Sequence, residues 1–171
     1  ICYPQLVSRI MHTCTTTHSI LEKILVKVLE EYPHEAQWSL MAVTNSKNKD
    51  RTKRATAIIT KAKATLHKTG KDYLLDQGST LCTHLLDLCN QDVDKNVGKL
   101  TLNQHCPHLR NFLRREKLGL IVPLQSALTP NLSEQPFPTE KVLIESMMDK
   151  IEIMNSMQKP RKIVIIVSEN R

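Results

Sequence analysis

Nine basic side chains crowd one stretch of this sequence: Lys47, Lys49, Arg51, Lys53, Arg54, Lys61, Lys63, Lys68 and Lys71, with Asp50 as the one acid among them. The whole chain carries +7 at pH 7, so outside that window it is close to neutral. Cations at this density could neutralise the phosphates of nucleic acid. Two features favour a solvated or protein-facing helix surface instead: the charges fall opposite an apolar stripe, and no aromatic side chains interleave to stack bases. A second cluster, His105-Cys106-Pro107-His108, has ligand chemistry, but zinc takes four ligands at recognisable spacing and the nearest other cysteine is Cys89. An incidental loop is the plainer reading. No nucleophile, histidine and acid stand in a catalytic arrangement. The phosphate-cradling patterns G-x-x-x-x-G-K-[S/T] and G-x-G-x-x-G are both absent.

Any such residues must be positioned by helices over most of the chain. The 171 residues suffice for one domain or parts of two, and 40% of them are hydrophobic, as in a globular protein. Only four glycines and 4% aromatics favour helix over a turn-rich β fold. The longest apolar run, Ile163 to Val167, is far short of the roughly 20 residues of a membrane helix. Ile1 to Leu6 lack the basic start of a signal peptide, and the expectation is that the native N-terminus lies upstream. The five cysteines are odd in number and have no C-x-x-C spacing, which fits a reducing cytosolic or nuclear compartment.

Between Thr17 and Glu31, Ile20, Leu21, Ile24, Leu25, Val28 and Leu29 form a face wide enough to meet neighbours on two sides. Pro33 ends that helix and opens a shorter one carrying Ala36, Trp38, Leu40, Met41 and Val43. A polar turn, Asn45 to Asn48, leads to a helix from about Asp50 to Thr69, stopped at Gly70, with Ala55, Ile59, Ala62 and Leu66 as a narrow stripe. The next, about Lys71 to Cys89, places Leu74, Leu81, Cys82, Leu85, Leu88 and Cys89 on one face. Gly78 lies in that face, where a neighbouring backbone could come close. Asn90 to His105 reads as a loop and Pro107 to Lys117 as a short basic helix. From Gly119 the character changes. Leu120 to Leu124 is strand-like, Thr129 to Thr139 is an irregular, proline-rich connection, and Ile144 to Met157 fits helix and strand equally. Lys162 to Val167 is a β-rich run with no partner in view, hence a truncated sheet.

Several segments together resemble one family. Tyr32-Pro33-x-x-Ala36-x-Trp38, then Met41-Ala42-Val43 and a basic helix, is similar to the end of the FAT region in the phosphatidylinositol-3-kinase-related protein kinases. Leu85-Leu86-Asp87-Leu88-Cys89-Asn90, Val122-Pro123-Leu124-Gln125-Ser126, Pro136-Phe137-Pro138 and the run from Ser156 to Ile163 resemble the ATR checkpoint kinases in particular. The resemblance implies a mostly α chain: a FAT-type α-solenoid followed by the first strands of a kinase small lobe, truncated. It implies the end of the FAT helical region at 1–68, a connector at 69–158 and the start of the kinase domain at 159–171. The family's glycine-containing phosphate loop falls on Val167, Ser168, Glu169 and Asn170, where Ser168 matches and both glycines are missing. No metal ligand or catalytic residue is expected within the chain. For the parent, the resemblance implies a serine/threonine kinase using ATP with Mg or Mn in DNA-damage and replication checkpoint signalling. It also implies nuclear location, protein substrates, a recruiting and activating protein partner, indirect DNA contact, no membrane and a dimeric assembly. The alternatives are a pseudokinase scaffold of the same family and a basic helical nucleic-acid-binding module.

Overall fold

The computed structural model describes residues 2–93, 97–115, 117–123 and 141–169. The chain divides into two compact units, Ile1–Ser79 and Thr80–Arg171.

The first unit is helical: α1 (Tyr3–Ser8), α2 (Thr15–Glu31), α3 (Pro33–Thr44), α4 (Lys49–His67) and the start of α5 (Tyr73–Asn90). Its punctuation follows the sequence. Proline at residue 33 disfavours helix at Tyr32, whose φ of −128° ends α2, and opens α3 as its first helical residue. The Asn48 side chain accepts from the Arg51 N–H at 3.0 Å and caps α4. At the other end Gly70 takes φ +66°, the Lys71 N–H returns to the Leu66 carbonyl and the Gly70 N–H to that of His67. This is the Schellman arrangement, which needs a residue free to enter the left-handed region.

Helix α4 packs against both α2 and α3. Its buried stripe is Ala55, Ile58, Ala62 and Leu66. Ile58, at 1% exposure, replaces the expected Ile59, which is half-buried. Both stripes obey the helical period, and the placing of α2 and α3 chooses between them. The broad face expected on α2 is covered on one side only. Leu21, Leu25 and Leu29 are buried, whereas Ile20 is 55% exposed and Ile24 is exposed too.

The second unit holds the rest of α5, then β1 (Lys99–Thr101), the one-turn α6 (Leu102–His105), α7 (Pro107–Arg115), β2 (Val142–Met147), β3 (Lys150–Ile153), β4 (Arg161–Lys162) and β5 (Ile165–Glu169). The strands form two antiparallel sheets, β1-β3-β4 and β2-β5. Ile144 and Met147 are both buried in β2, three residues apart, because the pairing shifts by one between Ile144 and Ser146. The expected loop from Asn90 to His105 therefore ends in a strand and a helical turn. Ile144 to Met157 resolves into strands followed by a polar turn. The run before the C-terminus does have a partner, since β5 pairs with β2 along its whole length. Of the expected strand at Leu120 to Leu124, Ile121 forms one bridge to Leu143 and the Leu120 carbonyl accepts from Ile144 at 2.7 Å. Leu124 and the proline-rich connection at 129–139 lie outside the described residues.

Candidate functional site

The positions aligned with the phosphate loop lie on β5. Val167 stands opposite Ile144, Ser168 opposite Leu143 and Glu169 opposite Val142, while Asn170 is outside the described residues. Val167 and Ser168 are exposed. A paired strand offers a phosphate fewer free N–H groups than a glycine-bearing turn, and valine does not relax φ as glycine does. What this chain places at 167–169 is thus a paired strand.

The approach to β5 is held by side chains that the sequence did not single out individually. A turn joins β3 to β4, and Lys159 within it has φ +44°. The Met154 N–H donates to the Pro160 carbonyl at 2.9 Å, closing the turn. Arg161 then spans two carbonyls, donating through Nη2 to Gln91 at 2.6 Å and through Nη1 to Lys159. The Lys159 ammonium donates to the Val93 carbonyl at 3.1 Å. Gln91 is the first residue past α5, so two cations sit where the helix collects partial negative charge. The Gln91 amide donates in turn to the His105 carbonyl and lies 3.4 Å from Cys106 Sγ. The sequence signal for these side chains is the run Gln158-Lys159-Pro160-Arg161-Lys162, which belongs to the resemblance.

His105 and Cys106 are taken up by this packing. His105 Nδ1 lies within hydrogen-bonding distance of the Thr101 backbone, and Cys106 is buried, its thiol pushed up by burial and by nearby Asp87. The His108 ring stacks against His84, with centroids 6.4 Å apart. Among the described residues no group of three or more His, Cys, Asp and Glu is placed to hold a metal ion. Cys82 is half-buried and Cys89 exposed, so Cys89 is not the core residue expected from its spacing. α5 turns Leu75 and Gln77 inward instead. Trp38 is half-buried with its indole N–H covered, so it borders the core rather than sitting fully inside it. At Gly78 the close neighbour is a side chain: an added Cβ would lie 2.2 Å from Gln37 Oε1.

The basic window is partly spent inside its own unit. Arg54 donates to the Ile10 carbonyl at 2.8 Å and to that of His12 at 3.2 Å. Lys61 pairs with Glu22 at 2.8 Å and Lys63 with Asp76 at 2.6 Å. Lys47, Lys49, Lys53, Lys68 and Lys71 remain exposed and form no ion pair among the described residues.

Comparison with known proteins adds a collinear match. A family model described as "Serine/threonine-protein kinase ATR-like, HEAT repeats" matches residues 1–82, close to the extent of the first unit. Protein kinase rad3 of Schizosaccharomyces pombe is 30% identical over 173 residues, covering 94% of this chain. Serine/threonine-protein kinase ATR of Oryza sativa subsp. indica is 31% identical over 178 residues, covering 96% of it. The chain belongs to the ATR-type kinase family. Serine/threonine-protein kinase MEC1 of Candida glabrata is 29% identical over 176 residues. The ATR-type match runs through both units, although this chain spans only 7% of the fission yeast protein and 6% of the rice protein. No helix among the described residues is long and apolar enough to cross a membrane.

Proposed function

We propose that this chain is the structural junction of an ATR-type serine/threonine protein kinase, where a helical array runs into the first strands of the kinase small lobe. The chain is not itself catalytic. The carrying observation is the match to proteins named kinases over 94% to 96% of its length. Helix α5 supports the junction reading, since it begins in the first unit and ends in the second. On this reading the parent transfers the γ-phosphate of ATP, with Mg or Mn, to protein substrates in checkpoint signalling. It works in the nucleus as a dimer brought to DNA by a protein partner. The groups that anchor ATP and metal follow residue 171. Phosphoryl transfer depends on those groups to place the phosphates and the ion.

The test is a phosphoryl-transfer assay with the full parent and with the 171-residue chain. The parent phosphorylates a serine-containing peptide with ATP and Mg or Mn, and the chain alone does not. A parent whose sequence past Arg171 continues without a strand lysine, a catalytic-loop aspartate and a metal-binding aspartate, and which transfers no phosphate, is the pseudokinase scaffold. Val167 in place of a loop glycine is the observation that keeps this second reading.

A further inference from the structure

The turn between β3 and β4 is built around two cations that the kinase reading leaves without a role. Arg161 and Lys159 together reach the carbonyls of Gln91 and Val93, just beyond the end of α5, and Arg161 also ties the turn to itself through the Lys159 carbonyl. Arg161 is half-buried and its bonds to carbonyls are charge-assisted. Its planar fork can hold two acceptors in a fixed geometry, which an ammonium cannot. Lys159 adds a second argument. Its φ of +44° is a conformation that glycine takes with less strain, so a lysine there keeps a side chain at a backbone cost. The ammonium bond to the Val93 carbonyl is what that side chain supplies.

From this clamp the chain runs directly to β5. Lys162 pairs with Glu152 across β3 and β4. The Val164 carbonyl accepts from the Met148 N–H at 3.0 Å, and β5 starts at Ile165. Every residue or two between Arg161 and the phosphate-loop position is tied, so the anchor at Arg161 sets where β5 begins.

We propose that Arg161 and Lys159 are positioning residues for nucleotide use: by clamping the β3–β4 turn to the carbonyls beyond α5, they fix the strand that presents the phosphate loop. This rests on the kinase reading. Neither residue lies at the phosphate-loop position, and both act through β5.

The experiment uses the full parent carrying Arg161→Ala, Arg161→Lys or Lys159→Gly, the last chosen because glycine keeps the turn's backbone. KM for ATP, kcat and amide hydrogen exchange are measured for each. The expected result is a rise in KM for ATP of about three- to tenfold in Arg161→Ala, with kcat changed less than about twofold. Lys159→Gly gives a smaller rise of about two- to threefold, and Arg161→Lys recovers part of the loss. Exchange at residues 91–93 and at Met154 quickens in step. An active parent whose KM for ATP is the same in Arg161→Ala and Lys159→Gly as in the wild type overturns the positioning role alone, even if exchange quickens. If Arg161→Ala fails to fold, Arg161→Lys and Lys159→Gly decide by the same criterion. A wild-type parent that transfers no phosphate overturns the kinase reading and the role in nucleotide use with it. Unchanged exchange in all three variants removes the clamp itself.

Discussion

Gln37 and Gly78 meet where α3 and α5 leave no room for a methyl group. Gln37 is 0% exposed, and its carboxamide would stand 2.2 Å from a Cβ at position 78. Alanine in a helix is worth roughly 0.5–1 kcal/mol over glycine, whereas forcing atoms into a packed core costs about 1–3 kcal/mol. A fully covered Gln37 cannot swing into solvent, so the overlap wins. Gly78→Ala is expected to destabilise the chain by about 1 kcal/mol, read as a lowered urea midpoint. Adding Gln37→Ala is expected to return part of that loss in a double-mutant cycle. A second residue-scale difference lies among the thiols. Exposed Cys14 is held below the ordinary thiol range by a hydrogen bond with the Thr17 side chain, then by the backbone amides of Thr17 and Thr16. Burial pushes Cys82 and Cys106 the other way. The thiolate is the reactive form, so Cys14 should be alkylated by iodoacetamide well before those two, starting at a lower pH. Mass spectrometry of partly labelled chain checks the order; equal rates at the three sites would contradict it.

At the scale of the element, α4 separates what period can tell from what it cannot. Ile58→Asp puts a carboxylate among α2 and α3 and is expected to cost about 3–5 kcal/mol, enough to unfold a marginal unit, while half-buried Ile59→Asp costs less than half of that. Circular dichroism with urea distinguishes the two. The apolar pattern announced α4 and both its ends, because Asn48 and Gly70 act on neighbouring backbone groups. Choosing Ile58 over Ile59 needed the positions of two other helices. The same division runs through the second unit. β1 is three residues of ordinary polarity whose pairing with β3 lies some fifty residues downstream, and no local signal marks it. The shift after Ile144 breaks the alternation in β2, so the run read as well for helix as for strand. Of the candidate site, the resemblance puts a phosphate loop at 167–170, and the structure adds that 167–169 are paired on β5. The grip of Arg161 on Gln91 was not, since a backbone carbonyl carries no sequence signature.

For the molecule as a whole, the charge that dominates the sequence is smaller in effect than its count. With Arg54, Lys61 and Lys63 held by partners in their own unit and Arg51 half-buried, five exposed lysines of the window remain to meet a polyanion. Counterion release then limits the slope of log K against log salt to a magnitude of about 4.5 for duplex DNA, with affinities no tighter than about 1 μM at physiological salt. Fluorescence anisotropy with labelled duplex is the measurement, and a steeper slope or nanomolar binding would revive the nucleic-acid reading. The division at Ser79 has a different consequence, for anyone who takes the molecule apart. The seam lies inside α5. A protease needs several residues it can pull into an extended shape, and a helix with Leu75 and Leu81 buried on either side of the seam does not yield them. Among the described residues the first nicks should come in the exposed turns, after Lys47 or between Met154 and Gln158. Brief digestion would then return pieces whose ends cut across the units, and a map of the protein drawn from stable fragments would put its borders in the wrong places.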